Sequence, residues 1–483
     1  MFRIPMRIRT LPLILAFALT GCAVGPDYQR PDSAASGPAA AAEFREVPEG
    51  WKVATPADHV PRGAWWTIYN DPLLNDLASQ VDVSNQNVIA AVARYRQARA
   101  SAQEARAAFF PTLGLSYSGG RNGSVDKSTN AAQVQNSQSL SLDASWEPDI
   151  WGGIRRSVES SDAGAQASAA DLAAARLSAQ AELVQDYLQL RIIDAQKRLA
   201  DDTVAAYTRS LTLTQNKYAA GIVTKADVAQ AKSQLKSAEA QSIDLELSRR
   251  QLEHAIAILV GKAPAQFALA ADAGWRPSLP VTPAGLPSQL LERRPDIASA
   301  ERAVTSANAQ IGVAKAAFFP SLVLTATGGL QTASLSDWFN APGRVWALGA
   351  AVAETIFDGG AREARSDQAV AAYDVSVATY RQTVLGGLQE VEDNLVAIAL
   401  LGKETLAQNE AVDAAREAER LALNQYTAGT VDYLNVASAQ ATRYSSEKTA
   451  LQLVGRQLSA SVLLVKAIGG GWDGDVAPQI ANK

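Results

Sequence analysis

The sequence predicts a protein that combines very long α-helices with β-strands of membrane-crossing length, arranged as two tandem structural repeats. Three observations predict this fold class. Two sequence landmarks recur at nearly the same offset, two long stretches contain no proline, and four short segments alternate apolar with polar residues. Chains that repeat one supersecondary unit bury their apolar surface by packing neighbouring copies, so a single compact globule is not expected.

An internal repeat organises most of the chain. The segment Ala107–Pro111 (AAFFP) recurs as Ala316–Pro320, and Asn216–Gly221 (NKYAAG) recurs in looser form as Asn424–Gly429 (NQYTAG). The landmarks keep one order and nearly one offset, which is hard to obtain by chance. We therefore predict two copies of a unit that is about 210 residues long.

Each copy contains a long stretch without proline. No proline occurs in residues 149–263 or 343–477, and good helix formers fill both stretches. Proline in a helix interior costs about 3 kcal/mol, so its absence permits long helices. Gly221 and Gly429 interrupt the stretches and are typical of a helix end followed by a tight turn. We expect in each copy a helix of roughly 65 residues, about 100 Å long, and then a helix of roughly 35 residues.

Four short segments are predicted to be β-strands. They span about residues 112–120, 138–147, 321–330 and 345–354, and apolar residues alternate with small or polar ones. Segments of about ten residues suit strands that cross a membrane, with apolar side chains towards lipid and polar ones towards a wet lumen. The alternative is a small antiparallel sheet in a soluble stalk protein.

The number of strands has a consequence for assembly. Four strands leave two open edges, which lipid cannot satisfy. Two chains would close a barrel of about eight strands that is plugged by its own side chains, whereas three chains would give twelve strands and room for an aqueous passage. The membrane interpretation therefore requires several copies of the chain.

The N-terminus has the features of a secretory signal. Three arginines precede a short apolar run, and Leu19–Cys22 reads Leu-Thr-Gly-Cys, which resembles a bacterial lipobox. In lipobox proteins the cysteine becomes the first residue and is acylated, so Cys22 is the predicted lipidation site. Ala23, in place of the aspartate that retains such proteins at the inner membrane, is compatible with the outer membrane. The alternative is an N-terminal helix with an incidental cysteine.

The composition excludes several classes of protein. One cysteine, two histidines and two methionines leave little material for metal sites, thiol chemistry or imidazole catalysis. The formal net charge of -5 argues against nucleic acid as the main partner. A mean hydropathy of -0.06 argues against a multi-span helical membrane protein. We expect no cofactor beyond the lipid on Cys22, no metal and no enzymatic activity.

At several points the chain resembles the TolC/OprM outer-membrane efflux protein family, and specifically its NodT-like lipoprotein branch. The resemblance covers nearly the whole mature chain. Its motifs are Cys22–Pro31 (CAVGPDYQRP), Trp65–Leu73 (WWTIYNDPL), Arg293–Ile297 (RRPDI), Ile311–Pro320 (IGVAKAAFFP) and Ala467–Trp472 (AIGGGW).

The resemblance implies a homotrimer that conducts solutes and makes or breaks no bond. Its twelve-stranded barrel would cross the outer membrane among the lipids, and a helical barrel would extend into the periplasm. The tapered periplasmic end, closed at rest, would dock a periplasmic adaptor and an inner-membrane pump of the resistance-nodulation-division (RND) type. An inner pair of helices would then swing outward and open the duct.

The resemblance also assigns the closing contacts of the periplasmic gate. Gly221 and Gly429 would form the two tip turns. Asp227, after the first turn, matches an aspartate that restrains the inner helices in the family, and Tyr426 matches its tyrosine partner. A hydrogen bond between a phenol and a carboxylate is worth about 1.5–3 kcal/mol. The alternative for Asp227 is a solvated carboxylate that the helix dipole favours in a first turn.

Other gate positions depart from the family pattern. Val431 stands where TolC has an arginine, and Asn435 and Ser438 stand where TolC has two constricting aspartates. An acidic ring that binds cations is therefore not expected from these positions. Asp432, about one helical turn away, could supply negative charge instead.

The sequence is compatible with three classes of function. We favour the outer-membrane conduit of a tripartite efflux system for drugs and other small organic molecules, with type I protein secretion and metal-ion efflux as alternatives. A structural coiled-coil lipoprotein and a periplasmic hydrolase are the competing classes. The predicted segments are a lipoprotein signal peptide (1–21), a lipidated extended segment (22–70), repeat 1 (71–262), an equatorial linker (263–294), repeat 2 (295–471) and a C-terminal tail (472–483).

Overall fold

The computed structural model describes most of the chain. Several predicted features lie wholly or partly outside the described residues: the signal peptide (1–21), Cys22, most of segment 22–70, part of the linker 263–294 and the tail 472–483. The described residues are 24–32, 45, 64–125, 132–272, 274–277, 279–280, 293–334 and 343–470.

Helices and strands follow one another in the predicted order. The helices are α1 (Pro72–Ser84), α2 (Gln86–Ala107), α3 (Gly153–Ala219), α4 (Lys225–Leu259), α5 (Pro295–Ala316), α6 (Ala361–Ala428) and α7 (Tyr433–Ala467). The strands are β1 (Thr112–Val125), β2 (Ala132–Trp146), β3 (Ser321–Thr332) and β4 (Arg344–Ala353). Two short 3-10 helices cover Trp65–Tyr69 and Pro264–Gln266.

The four long helices confirm the prediction drawn from the proline-free stretches. Helices α3 and α4 contain 67 and 35 residues, and α6 and α7 contain 68 and 35. The N-terminus of α1 shows how local chemistry sets a boundary. The Asp71 carboxylate accepts hydrogen bonds from the N–H groups of Leu73 and Leu74, and Pro72 needs no partner for its nitrogen at this position.

The four strands form one antiparallel sheet in the order β1-β2-β3-β4. Two strands are longer than predicted, because β1 continues to Val125 and β2 begins at Ala132. Backbone groups make the ladder, so pairing continues through a Ser-, Gly- and Gln-rich end where the alternation of hydropathy has faded. The predicted combination of long helices with two strands in each repeat is confirmed.

The chain divides into two compact units, and the first contains the sheet. Its N-terminal segment packs closely on α5, where a Cβ atom on Gly25 would come within 2.5 Å of the Gly312 Cα. Arg156 of α3 donates to the Asp27 carboxylate of the same segment at 2.7 Å. The unit comprises residues 1–31, 95–168 and 300–380.

In the part of the second unit that the structure describes, the regular elements are helices, joined by connecting segments. Val391 and Leu395 of α6 and Leu464 of α7 have no solvent exposure and form one of its apolar clusters. No helix within the described ranges combines the length and the apolar character needed to span a membrane. The unit comprises residues 32–94, 169–299 and 381–483.

A buried ion network fixes the segment that follows α4. The Asp194 carboxylate of α3 accepts from Arg249 Nε of α4 at 2.7 Å and from Arg191 Nη1 at 3.3 Å. Arg249 also donates to the carbonyl of Leu269, whose N–H donates to Glu253. All four charged residues are at most 7% exposed. Each buried charge has an opposite charge nearby, and Arg191, Arg249 and Glu253 also bond backbone groups, which offsets the cost of desolvation.

Candidate functional site

The candidate gate lies where α3 turns into α4 and α6 turns into α7, all within the second unit. Gly221 and Gly429 occupy the two turns with φ angles of 71° and 81°, a left-handed conformation that favours glycine. The N–H of each glycine bonds a carbonyl three residues back, and the following N–H bonds one five residues back. This is the Schellman pattern, which satisfies the last carbonyls of α3 and α6. The structure places both predicted turns where the sequence expected them.

Asp227 caps its own helix. Its carboxylate accepts from the N–H of Thr224 at 2.9 Å and from the Thr224 hydroxyl at 2.8 Å, while Thr224 Oγ1 accepts from the N–H of Asp227. The two residues form a reciprocal capping box at the start of α4. Asp227 thus takes the helix-first-turn role that was the alternative to a gate contact.

Tyr426 forms a different bond from the predicted one. Its hydroxyl donates to Thr214 Oγ1 of α3 at 3.0 Å and not to the Asp227 carboxylate. The predicted hydrogen bond between Tyr426 and Asp227 is therefore not formed within the chain. The tyrosine is buried, and its ring packs edge-on against Tyr433 with centroids 5.6 Å apart. Burial raises the pKa of Tyr426, and the negative charge of Asp227 adds to the rise. The phenol is therefore neutral and acts as a donor at physiological pH.

Lys217 links the two repeats at this site through a charged group. Its ammonium donates to the carbonyl of Tyr426 and, at 3.4 Å, to the carbonyl of Thr427. The same ammonium lies 4.5 Å from the centroid of the Tyr426 ring. A cation is favoured there because both carbonyls belong to the negative end of the α6 dipole, and an aromatic face also attracts it. We call this arrangement the Lys217 latch.

Sequence reasoning missed Lys217, although the residue is part of the repeated landmark. In the first copy the landmark reads Asn216-Lys217-Tyr218, and in the second a glutamine takes the place of the lysine. This difference between the copies could have pointed to Lys217, because a side chain that joins one copy to the other needs to occur in only one of them. Its carbonyl partners could not be deduced from the pattern, since they depend on how α3 lies against α6.

Amide and hydroxyl groups add further links between the repeats. Tyr433 donates to the Gln234 side-chain oxygen at 3.1 Å, and Gln234 donates to the carbonyl of Ala437 at 3.1 Å. Gln440 donates to Ser210 Oγ at 3.1 Å. Burial raises the pKa of Tyr433 to about 12, so its hydroxyl also remains a donor. Four helices are thereby joined through polar contacts around an apolar cluster of buried residues.

The remaining predicted gate residues are exposed at the start of α7. Asp432 precedes the first residue of the helix without capping it through its side chain. Asn435 and Ser438 follow at three-residue steps, and all three residues are exposed. Val431 is half-buried and packs against the apolar cluster, so it cannot replace the charge of an arginine. Among the described residues, Asp432, Asn435 and Ser438 form no hydrogen bond with Asp227 or Tyr426.

A groove of about 600 Å³ lies between α3, α4 and α7. Ser438 lines it together with Tyr207, Gln234 and Lys448. Its walls are mostly hydroxyl and amide side chains, so it offers hydrogen bonds rather than ligands for a metal. Among the described residues, no group of three or more His, Cys, Asp or Glu side chains is placed to hold a metal ion.

Comparison with known proteins identifies the family. The family model described as outer membrane efflux protein matches residues 77–262 and again residues 286–470, so it finds the tandem repeat as two copies. The chain is 35% identical over 479 residues to the pyoverdine export outer membrane protein OpmQ of Pseudomonas aeruginosa, covering 97% of this chain and 98% of that protein. It is 32% identical to the toluene efflux pump outer membrane protein TtgI of Pseudomonas putida, covering 97% and 99%.

Solved structures agree with this assignment. The outer-membrane channel OprN has a TM-score of 0.84 and 31% sequence identity, covering 94% of this chain and all of that chain. The open state of the MtrE outer membrane channel of Neisseria gonorrhoeae has a TM-score of 0.82 and 28% identity, covering 95% and 100%. The fold class predicted from the sequence is therefore confirmed, and the chain belongs to the outer membrane efflux protein family.

Proposed function

We propose that this outer membrane efflux protein works as a homotrimeric conduit. The observation that carries the proposal is the four-stranded sheet, whose edge strands β1 and β4 have no partner on their outer sides within the described chain. One face of the sheet exposes large apolar residues such as Leu115 and Leu348, at 72% and 76% exposure. Open edges are not tolerated in lipid, and three copies close twelve strands around an aqueous passage.

The conduit would carry small organic molecules that a pump delivers to it. This part of the proposal is supported by the printed names of relatives that export pyoverdine or toluene. A periplasmic adaptor and an inner-membrane RND-type pump are the partners that the family resemblance implies. The energy comes from the pump, and the family is one of transport proteins rather than a class of enzymes.

The tip of the helices would act as the gate. Opening requires the pair α6 and α7 to move relative to α3 and α4, and the contacts that join these pairs must then break. The Lys217 latch, the Tyr426–Thr214 bond and the bonds of Gln234 are the restraints in each chain. Asp432, Asn435 and Ser438 remain proposed lining residues of the passage, because they are exposed on one protomer. Asp227 would support the gate by capping α4 together with Thr224, directly after the first turn.

Cys22 would anchor the mature chain in the outer membrane through acyl groups. Its support is the Leu-Thr-Gly-Cys sequence and the position of the cysteine after a short apolar run. We expect the denatured, purified protein to be heavier than the chain from Cys22 to Lys483 by the mass of the attached lipid. A mass equal to the bare chain, or a mature N-terminus elsewhere, contradicts the lipid anchor but leaves the conduit intact.

The assembly itself is tested by native mass spectrometry of protein extracted from outer membranes. We expect a species that contains three copies of the chain, because only closure satisfies the outer edges of β1 and β4. A structural coiled-coil lipoprotein is separated from the conduit by single-channel recording, because a spacer passes no current. If the extracted protein consists of single copies across several mild detergents, the proposed conduit is wrong.

A further inference from the structure

The sheet has one apolar face, and the strand register defines it. Leu115 pairs with Leu142, Leu142 pairs with Gly328, and Gly328 pairs with Trp346, so these positions share one face. Trp346 at 79% exposure and Leu348 at 76% exposure belong to the same face. A contiguous exposed apolar surface of this kind suits contact with lipid chains.

Charged residues on the strands are few, and their faces differ. In the described strands they are Arg121, Asp143 and Arg344. Asp143 lies on the opposite, polar face, where its carboxylate accepts from Ser116 and from Thr327, each at 2.8 Å. Both arginines fall on the apolar face, because residues an even number apart on a strand point to the same side. Arg121 lies six residues after Leu115, and Arg344 lies two residues before Trp346.

The arginines stand at the hairpin-side border of the apolar face, and this border runs obliquely across the strands. Arg344 lies in the same row of the sheet as Tyr117, whereas Arg121 lies four residues further towards the hairpin on β1. Both lie towards the hairpin ends of their strands and are exposed. From Arg121 back to Leu113, and from Arg344 forward to Val352, this face carries no other charged residue. Each stretch is nine residues long, and a tilted strand needs about 9–11 residues to cross the apolar core of a bilayer. The guanidinium groups are therefore placed at the depth of lipid headgroups rather than among the chains.

Aromatic residues next to the arginines mark the same border. Tyr117 pairs with Leu140, Leu140 with Leu330, and Leu330 with Arg344, so Tyr117 and Arg344 lie at one level of the sheet. Trp346 follows two residues after Arg344 on the same face. Tyrosine and tryptophan favour the membrane interface because each joins an apolar ring to a polar group.

We propose that Arg121 and Arg344 form a binding site for the phosphate groups of anionic membrane lipids. A guanidinium group presents a planar fork of donors that matches phosphate oxygens, and it stays charged at every physiological pH. The site rests on the proposed trimer in one respect. When β4 of one copy lies beside β1 of the next, Arg344 and Arg121 border the same seam, so a lipid bound there contacts two chains.

Native mass spectrometry of the full-length protein in nanodiscs tests the site. Phosphatidylglycerol is the anionic probe, and phosphatidylcholine with the same acyl chains is the zwitterionic one. We expect the double variant Arg121→Gln with Arg344→Gln to retain about tenfold less phosphatidylglycerol than the unaltered protein, with retention of phosphatidylcholine unchanged. Arg96→Gln, which alters an exposed arginine of α2, is the matched control and should retain both lipids normally.

Two outcomes overturn the inference. Equal phosphatidylglycerol retention by the double variant and the unaltered protein shows that the acyl chains alone decide binding. Equal losses in the double variant and in Arg96→Gln show a general effect of charge rather than a site. Either result can occur with an intact trimer, which leaves the proposed function standing. If the protein stays monomeric, the proposed function fails, while lipid retention can still be compared on the monomer.

Discussion

Alanine in place of Lys217 is expected to open the proposed gate. The change removes two charge-assisted hydrogen bonds to the C-terminal carbonyls of α6 and the contact with the ring of Tyr426. Bonds to a charged group are worth about 1.5–3 kcal/mol, which corresponds to a shift of about tenfold to a hundredfold in the opening equilibrium. We expect larger single-channel conductance and greater entry of bulky antibiotics into cells that carry the variant.

Two further variants make this test specific. Lys225→Ala removes a second lysine of the same tip, which is exposed at the first position of α4, and should leave conductance unchanged. Tyr426→Phe keeps the ring and loses only the bond to Thr214, so its effect should be smaller than that of Lys217→Ala. If Lys217→Ala and Lys225→Ala behave alike, the latch does not restrain the gate.

Alanine in place of Asp194 is expected to destabilise the protein more than any substitution at the tip. It leaves Arg191 and Arg249, at 3% and 7% exposure, without their shared carboxylate. Breaking a buried ion pair by removing one partner costs about 3–5 kcal/mol. We expect a loss of this size in the free energy of unfolding, measured by urea denaturation followed through helical circular dichroism.

Substitutions with a smaller change of shape keep this prediction testable when Asp194→Ala folds poorly. Asp194→Asn preserves the size of the side chain but not its charge, and it should fall between the unaltered protein and Asp194→Ala. Asp413→Ala removes an exposed carboxylate on α6 and is the control, since exposed ion pairs contribute about 0–1 kcal/mol. Equal stability of Asp194→Ala and the control would show that the network does not stabilise the second unit.

The fold was largely predictable because its signals are periodic and long. The absence of proline over the stretches that become α3 with α4 and α6 with α7 permits few other structures. The recurrence of the landmarks means that a prediction made for one copy also applies to the other. Gly221 and Gly429 were found because a left-handed turn after a helix restricts residue type. The hairpin ends of β1 and β2 were missed because backbone pairing there does not need alternating hydropathy.

The contacts of the gate were less predictable. The Thr224–Asp227 capping box is a local signature, yet the family resemblance favoured a distant partner for Asp227. Tyr426 is buried, but its hydrogen-bond partner Thr214 lies on another helix, whose rotation the sequence does not specify. Long-range polar contacts depend on helix register to within an ångström or two, whereas a pattern of apolar residues defines only a face.

The central claim is that the assembled chain encloses an aqueous passage, and planar-bilayer recording tests it most directly. Purified trimers should produce discrete single-channel currents, and these should grow in the Lys217→Ala variant. Protein that inserts stably into the bilayer yet passes no current, in both the unaltered chain and the latch variant, would contradict the claim.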